Sequence, residues 1–133
     1  MLTHTQMIRL PLISMALWLV ATAYIRFMPD AFTSPMLGPL GFVTTFPMAW
    51  ASIWLVKRLG ALVPGQLLAG VSLVGAVAMM IDGAALRFWP QVYGSDTLVL
   101  RLGAAWLLWG YGVSLGVALI WAMRTHSRPL NTR

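Results

Sequence analysis

Four apolar runs of about twenty residues each decide what this chain can fold into. They cover positions 8–27, 36–56, 67–86 and 98–123. About twenty residues at ~1.5 Å per residue span the ~30 Å hydrocarbon core of a bilayer. The runs do not alternate with the period of two expected of barrel strands. In lipid every backbone amide must find its partner within the protein, which leaves helices. The expected fold is therefore all-α: one membrane domain, residues 1–133, built as a four-span transmembrane helical bundle. Composition agrees. Hydrophobic residues make up 59% of the 133 and charged ones 9%, with a mean hydropathy of +0.80. A soluble domain of this length needs far more surface charge.

Charge placement gives an orientation. Arg9 precedes the first run, Lys57 and Arg58 separate the second from the third, and Arg124, Arg128 and Arg133 follow the fourth. No acid accompanies them. The opposite connections carry Arg26, Arg87 and Arg101 but also Asp30 and Asp96. The positive-inside rule then puts both termini in the cytoplasm, with the inner (plasma) membrane of a bacterium as the expected location. The net charge of +6 is mainly topological. Nucleic acid is not an expected partner, because no clustered basic face with a readable motif is present. Membrane lipids are, and the basic tail suits anionic headgroups. Arg9, the apolar stretch 10–20 and Ala21-Thr22-Ala23 also have the outline of a signal peptide. The apolar run continues past that point, so a retained helix is expected.

The connections are short and marked by Pro29, Asp30, Ser34 and Pro35, by Lys57, Arg58, Gly60, Pro64 and Gly65, and by Pro90, Gly94, Ser95 and Asp96. The first seven and last nine residues are expected to be flexible. An internal echo is visible. Arg26-Phe27-Met28-Pro29 closes the first run and Arg87-Phe88-Trp89-Pro90 the third, and at the same offset Phe32 matches Tyr93, Ser34 matches Ser95 and Trp50 matches Tyr111. Two related hairpins about an axis along the membrane normal would produce this. So would convergence, since helix ends at an interface collect Arg, an aromatic and Pro.

Asp82 is the only acid inside a run. A carboxylate in the membrane is costly and calls for a partner, a proton or a role. It lies about six residues, hence ~9 Å, from the end of its helix. Arg26, near the same end of the first helix, is the expected partner, forming an intramembrane polar pair. Arg87, five residues on, points elsewhere. Such a pair either locks two helices or binds a substrate, ion or proton. Gly75 and Ala78 share the Asp82 face and form a small-residue seam suited to close helix packing. Gly112 and Gly116 form a second close-contact motif, directed either at a helix of the same chain or at a second copy. Gly103, Gly110 and Ser114 lie on an adjacent stripe. Pro47 should free the Val43 carbonyl and kink the second helix, with Thr44 and Thr45 near enough to bond backbone groups or form a binding site. Arg87, Trp89 and Pro90 form a motif at the outer side. Trp89, Tyr93 and Trp121 suit the aromatic belts, whereas Trp106, Trp109 and Tyr111 lie too deep.

What is missing narrows the chemistry. With no Cys, thiol redox chemistry and thiolate metal sites are excluded. His4 and His126 lie outside the runs, so no intramembrane pair of haem ligands exists. The chain contains no Glu, unlike the small multidrug exporters that depend on one in their first helix. One intramembrane acid cannot supply paired acid–base catalysis. No enzyme activity, metal or cofactor is expected.

The stretches Met80-Ile81-Asp82-Gly83-Ala84-Ala85-Leu86-Arg87-Phe88-Trp89-Pro90-Gln91-Val92-Tyr93 and Gly103-Ala104-Ala105-Trp106-Leu107-Leu108-Trp109-Gly110-Tyr111, with Arg26, resemble a bacterial family of small four-helix membrane proteins known as a domain of unknown function. The resemblance covers about the last 70 residues well and the first half loosely. It implies four helices and an Asp in the third, and no activity. The expected role is a non-catalytic accessory subunit or assembly factor, alone as a homodimer or within a larger membrane complex. The alternative is a small dimeric permease or channel lined by Asp82 and Arg26.

Overall fold

The computed structural model describes residues 1–126, so Arg128 and Arg133 of the basic tail lie outside the described residues. Four long helices stand where the apolar runs predict them: α1 (His4–Phe27), α3 (Leu37–Leu59), α4 (Leu67–Phe88) and α5 (Thr97–His126). A one-turn helix, α2 (Asp30–Thr33), follows α1, and 3-10 turns at Pro64–Gln66 and Pro90–Val92 precede and follow α4. Each long helix is apolar and long enough to cross a membrane. The protein is thus a multi-pass, all-α membrane bundle.

Local signals set the helix ends. Thr3 and Gln6 form a reciprocal capping box that starts α1. The first residues are therefore ordered, contrary to the expectation of a flexible end, and Gln6 is buried with its amide donating to the Ala61 carbonyl (3.0 Å) and to Gln66 (2.9 Å). The Ser34 hydroxyl, two residues before the N-cap, accepts from the first amide of α3, and Asp96 caps α5 through the amides of Leu98 and Val99. Where α3 ends, the Leu62 amide reaches the Lys57 carbonyl (3.0 Å) and that of Ala61 reaches Arg58, a Schellman closure. The left-handed position falls on Ala61 (φ 48°) rather than on the neighbouring Gly60. Gly60 has its own constraint, since a Cβ there would sit 2.7 Å from the Val56 carbonyl.

The two corners that echo each other in sequence also match in conformation. Met28 (φ −128°, ψ 55°) and Trp89 (φ −139°, ψ 55°) both end a helix immediately before proline. A residue before proline is pushed out of the helical region, and the proline then opens a new turn. Each turn buries one ring, Phe32 in the first and Tyr93 in the second.

The long helices form a ring in the order α1, α4, α5, α3. α1 packs chiefly on α4, and α5 on both α4 and α3, whereas α1 and α3 barely touch. One apolar core near the N-terminal end centres on Leu10, Ile53, Leu67 and Val71. The other, at the opposite end, centres on Ile25, Phe32, Tyr93 and Leu107. The Gln66 amide donates to the Met1 carbonyl (2.6 Å), so the α3–α4 connection and the N-terminus share one end. Arg9, Lys57, Arg58 and Arg124 gather towards it, with Lys57 over Trp121 and Arg58 over Trp54.

Two substitutions test this account. Gly70 accepts no side chain, because a Cβ would lie 2.4 Å from the buried Leu62 Cδ1. Gly70→Val should lower stability by ~1–3 kcal/mol through overpacking. Ala61→Gly should raise it by about 1 kcal/mol by relieving the left-handed backbone. Denaturant titration in mixed micelles reads both, and a destabilised Ala61→Gly would refute the Schellman assignment.

Candidate functional site: a buried carboxyl cluster beside a lateral cavity

Asp82 is 4% exposed, and its side chain is held by three uncharged donors from three parts of the chain. The Trp18 indole N–H of α1 donates to Oδ1 (2.9 Å). The Tyr93 hydroxyl, delivered by the turn after α4, donates to the same oxygen. The Tyr111 hydroxyl of α5 donates to Oδ2. Trp18 also reaches the Tyr93 hydroxyl (3.1 Å), closing the cluster on itself. Burial, reinforced by the neighbouring Asp82 carboxyl, pushes the Tyr93 phenol well above its ordinary value, so it keeps its proton and remains a donor. Buried polar groups are stable in an apolar interior when every member is bonded, and both Asp82 oxygens are. The Thr22 hydroxyl, one turn beyond Trp18 on the same face, is buried without a hydrogen-bond partner.

Arg26 is not the partner of Asp82. Its guanidinium donates to the carbonyls of Gln91 (2.6 Å) and Val92 (3.3 Å) and is exposed. The physical reason is the short turn after Pro90, whose last carbonyls lack intrahelical donors and take the nearest cation. Arg26 thus closes the corner that carries Tyr93, and acts on the cluster only through that corner. Tyr93, expected in an aromatic belt, is instead 1% exposed inside the bundle. Of the outer-side motif, Pro90 ends α4 and begins the Tyr93 turn, Arg87 lies over the Phe88 ring (5.8 Å), and Trp89 is 64% exposed.

The small-residue positions also divide. Ala78 is buried and Gly75 half-buried, and no neighbouring backbone lies within 4 Å of a Cβ placed at Gly75. Together with Gly110 they line a cavity of about 280 Å³ enclosed by all four long helices. The nearest atom to a Cβ at Gly75 is Met79 Cε at 4.0 Å, so that wall is hollow. Gly112 and Gly116 are exposed with nothing near them, which corrects the reading that turned this motif towards a helix of the same chain. The adjacent stripe faces inward instead: a Cβ at Gly103 would lie 3.1 Å from Ile25 Cγ2, and Gly110 and Ser114 line the cavity. Thr45 is buried and also lines it, whereas Thr44 and Pro47 face outward. Both threonine hydroxyls bond the Gly41 carbonyl, at 3.2 and 2.8 Å, rather than the Val43 carbonyl freed by Pro47. α3 runs unbroken through Pro47.

Trp18 and Tyr111 belong to both features, with their polar ends on Asp82 and their rings in the cavity wall. Tyr24 and Trp106 complete the aromatic end, their rings 5.4 Å apart. The lining also includes Val20 and Met48, 67% and 52% exposed, on either side of the slack α1–α3 seam. The cavity therefore opens sideways, towards the surroundings of the bundle.

Sequence reasoning found Asp82 and missed its partners. Trp18 gave no signal beyond its place in an apolar run. Tyr93 and Tyr111 were visible as members of the internal echo. Among the described residues no group of His and acidic side chains could hold a metal ion.

A double-mutant cycle separates the two accounts of Asp82. Hydrogen bonds between membrane helices average ~0.6 and reach ~1.7 kcal/mol, and those to charged groups ~1.5–3 kcal/mol. Tyr111→Phe should cost ~1.5 kcal/mol, and Asp82→Asn ~2–3 kcal/mol because one oxygen becomes a donor facing donors. The Asp82–Tyr111 pair should couple and the Asp82–Arg26 pair should not. An Asp82–Arg26 coupling above that of Asp82–Tyr111 would restore the ion pair.

The chain matches no protein-family model, no curated protein and no solved structure, so the reading of its function rests on this geometry alone.

Proposed function

We propose that this protein is a non-catalytic, multi-pass component of the bacterial inner membrane, with both termini cytoplasmic, that acts through helix packing as an accessory subunit or assembly factor. The observation that carries the reading is the saturation of Asp82. Both oxygens are occupied by Trp18, Tyr93 and Tyr111, and the group is buried, so the cluster joins α1, α4 and α5 rather than offering a free carboxylate to a moving ion. A closed polar network of this kind specifies one arrangement of helices. The outward Gly112–Gly116 face of α5 suits a homodimer or a larger complex, since small residues let a neighbouring helix approach. The gathering of Arg9, Lys57, Arg58 and Arg124 at one end supports the orientation.

The permease or channel reading has weaker support. Its cation, Arg26, is engaged by the Pro90 turn, and the aromatic wall of Trp18 and Tyr111 stands between Asp82 and the cavity.

Gentle extraction from native membranes, followed by size measurement and mass spectrometry of retained proteins, tests the proposal. Asp82→Asn should lower stability and partner retention together. Gly112→Leu should reduce retention without changing the unfolding midpoint of the isolated bundle. A protein that stays monomeric and partner-free in native extracts, yet whose Asp82→Asn variant loses a measurable ion or solute flux in vesicles at unchanged stability, would establish the permease reading instead.

A further inference from the structure

We infer that the cavity between the helices is a binding site for a single hydrocarbon chain of a membrane lipid, entering sideways between α1 and α3. This stands independently of the accessory-subunit reading, because it concerns the inside of the bundle rather than its outer faces. Three observations carry it. First, the lining lies wholly within the spans and is overwhelmingly apolar, with Leu17, Ile53, Val74 and Leu107 among its walls. The few polar groups in the wall, the hydroxyls of Thr45, Ser52 and Ser114 among them, leave most of it without partners for water, and apolar walls that face nothing lose packing contacts. Second, the loosely packed α1–α3 seam of the ring lies beside it, and the exposed Val20 and Met48 flank that seam. A bilayer presents acyl chains to such an opening. Third, the lining extends along the helices. On α3 its lining runs from Thr45 to Val56, ~16 Å at the helical rise. A chain lying along the helices would meet the lining over that length.

The small residues make the hollow. Gly75, Ala78 and Gly110 come from two adjacent helices, and larger side chains there would fill the space a chain needs. The aromatic end, Trp18, Tyr24, Trp106 and Tyr111, sets the depth at which a chain tip stops. Because Trp18 and Tyr111 also hold Asp82, a bound chain presses on the same rings that position the carboxyl cluster.

The test uses the full chain reconstituted in phosphatidylcholine vesicles in which a graded fraction of the lipid carries dibrominated acyl chains, with tryptophan fluorescence as the readout. Wild type should show a saturable quenching component, complete at a low fraction of brominated lipid, on top of the linear quenching of surface tryptophans. Gly75→Leu should abolish that component, and Gly110→Val should reduce it several-fold. Neither new Cβ meets an obstructing atom, the nearest at Gly110 being Thr45 Cγ2 at 3.8 Å, so both variants should fold, as the unfolding midpoint will check. Gly83→Leu, on the open outer face of α4, should leave the component unchanged. The proposal is overturned if wild type quenches only linearly, or if Gly75→Leu keeps the saturable component while folding normally. Should Gly75→Leu misfold, Gly110→Val decides alone.

Discussion

An acid inside a bilayer must be compensated, and here the compensation comes from hydroxyl and indole donors rather than from a cation. That choice shapes the bundle. A salt bridge needs two charges removed from water, and their mutual attraction often fails to repay the desolvation. Three neutral donors require only one such removal. They must arrive from different directions, so satisfying Asp82 fixes α1, the turn after α4 and α5 relative to α4. Arg26 then takes a supporting place, tying the end of α1 to the carbonyls of that turn.

The spans were legible in the sequence because hydropathy over twenty residues is a strong signal and lipid leaves the backbone one solution. Asp82 was legible for the same reason: a charge stands out in an apolar run. Its partners were not, because Trp18, Tyr93 and Tyr111 are residues that lipid-facing positions also use, and nothing local marks a tyrosine as buried. The Arg26 pairing failed on a proximity argument. Both residues lie near one end of the bundle, but Pro90 creates unpaired carbonyls closer to the guanidinium than the carboxyl is accessible. The glycine motifs failed in a related way. Helical spacing groups Gly112 with Gly116 but cannot say which side of α5 faces the ring, and the inward stripe proved to be Gly103, Gly110 and Ser114.

The seam and the cavity follow from one another. Small residues in membrane helices usually bring backbones together. Here the ring is held open by large side chains at both ends, the Leu10–Ile53 core at one and the Ile25–Tyr93 core at the other. Gly75 and Gly110 sit between these cores, where helices already separated cannot close. Small residues between fixed supports produce a void, not a contact. The loose α1–α3 edge is where that void meets the surroundings, and this is why interior volume and lateral access coincide.

The internal echo sharpens the meaning of the polar cluster. At its constant offset, Asp82 corresponds to Ala21, Tyr93 to Phe32 and Tyr111 to Trp50. The two corners share a backbone conformation before proline, and each tucks one ring into the bundle. Yet where the acid is absent both hydroxyls are absent too, and Phe32 packs instead against Tyr24 and Trp106. A half-built version, an Asp facing Phe or a Tyr hydroxyl facing Ala, would leave a buried polar group without a partner in the membrane, at a cost near that of the bond itself. A change at one of the three positions alone therefore lowers stability. Whether the hairpins descend from one ancestor or converged on one corner, the same rule separates them: one carries the acid and both hydroxyls, and the other carries none of the three and lends only the Trp18 indole.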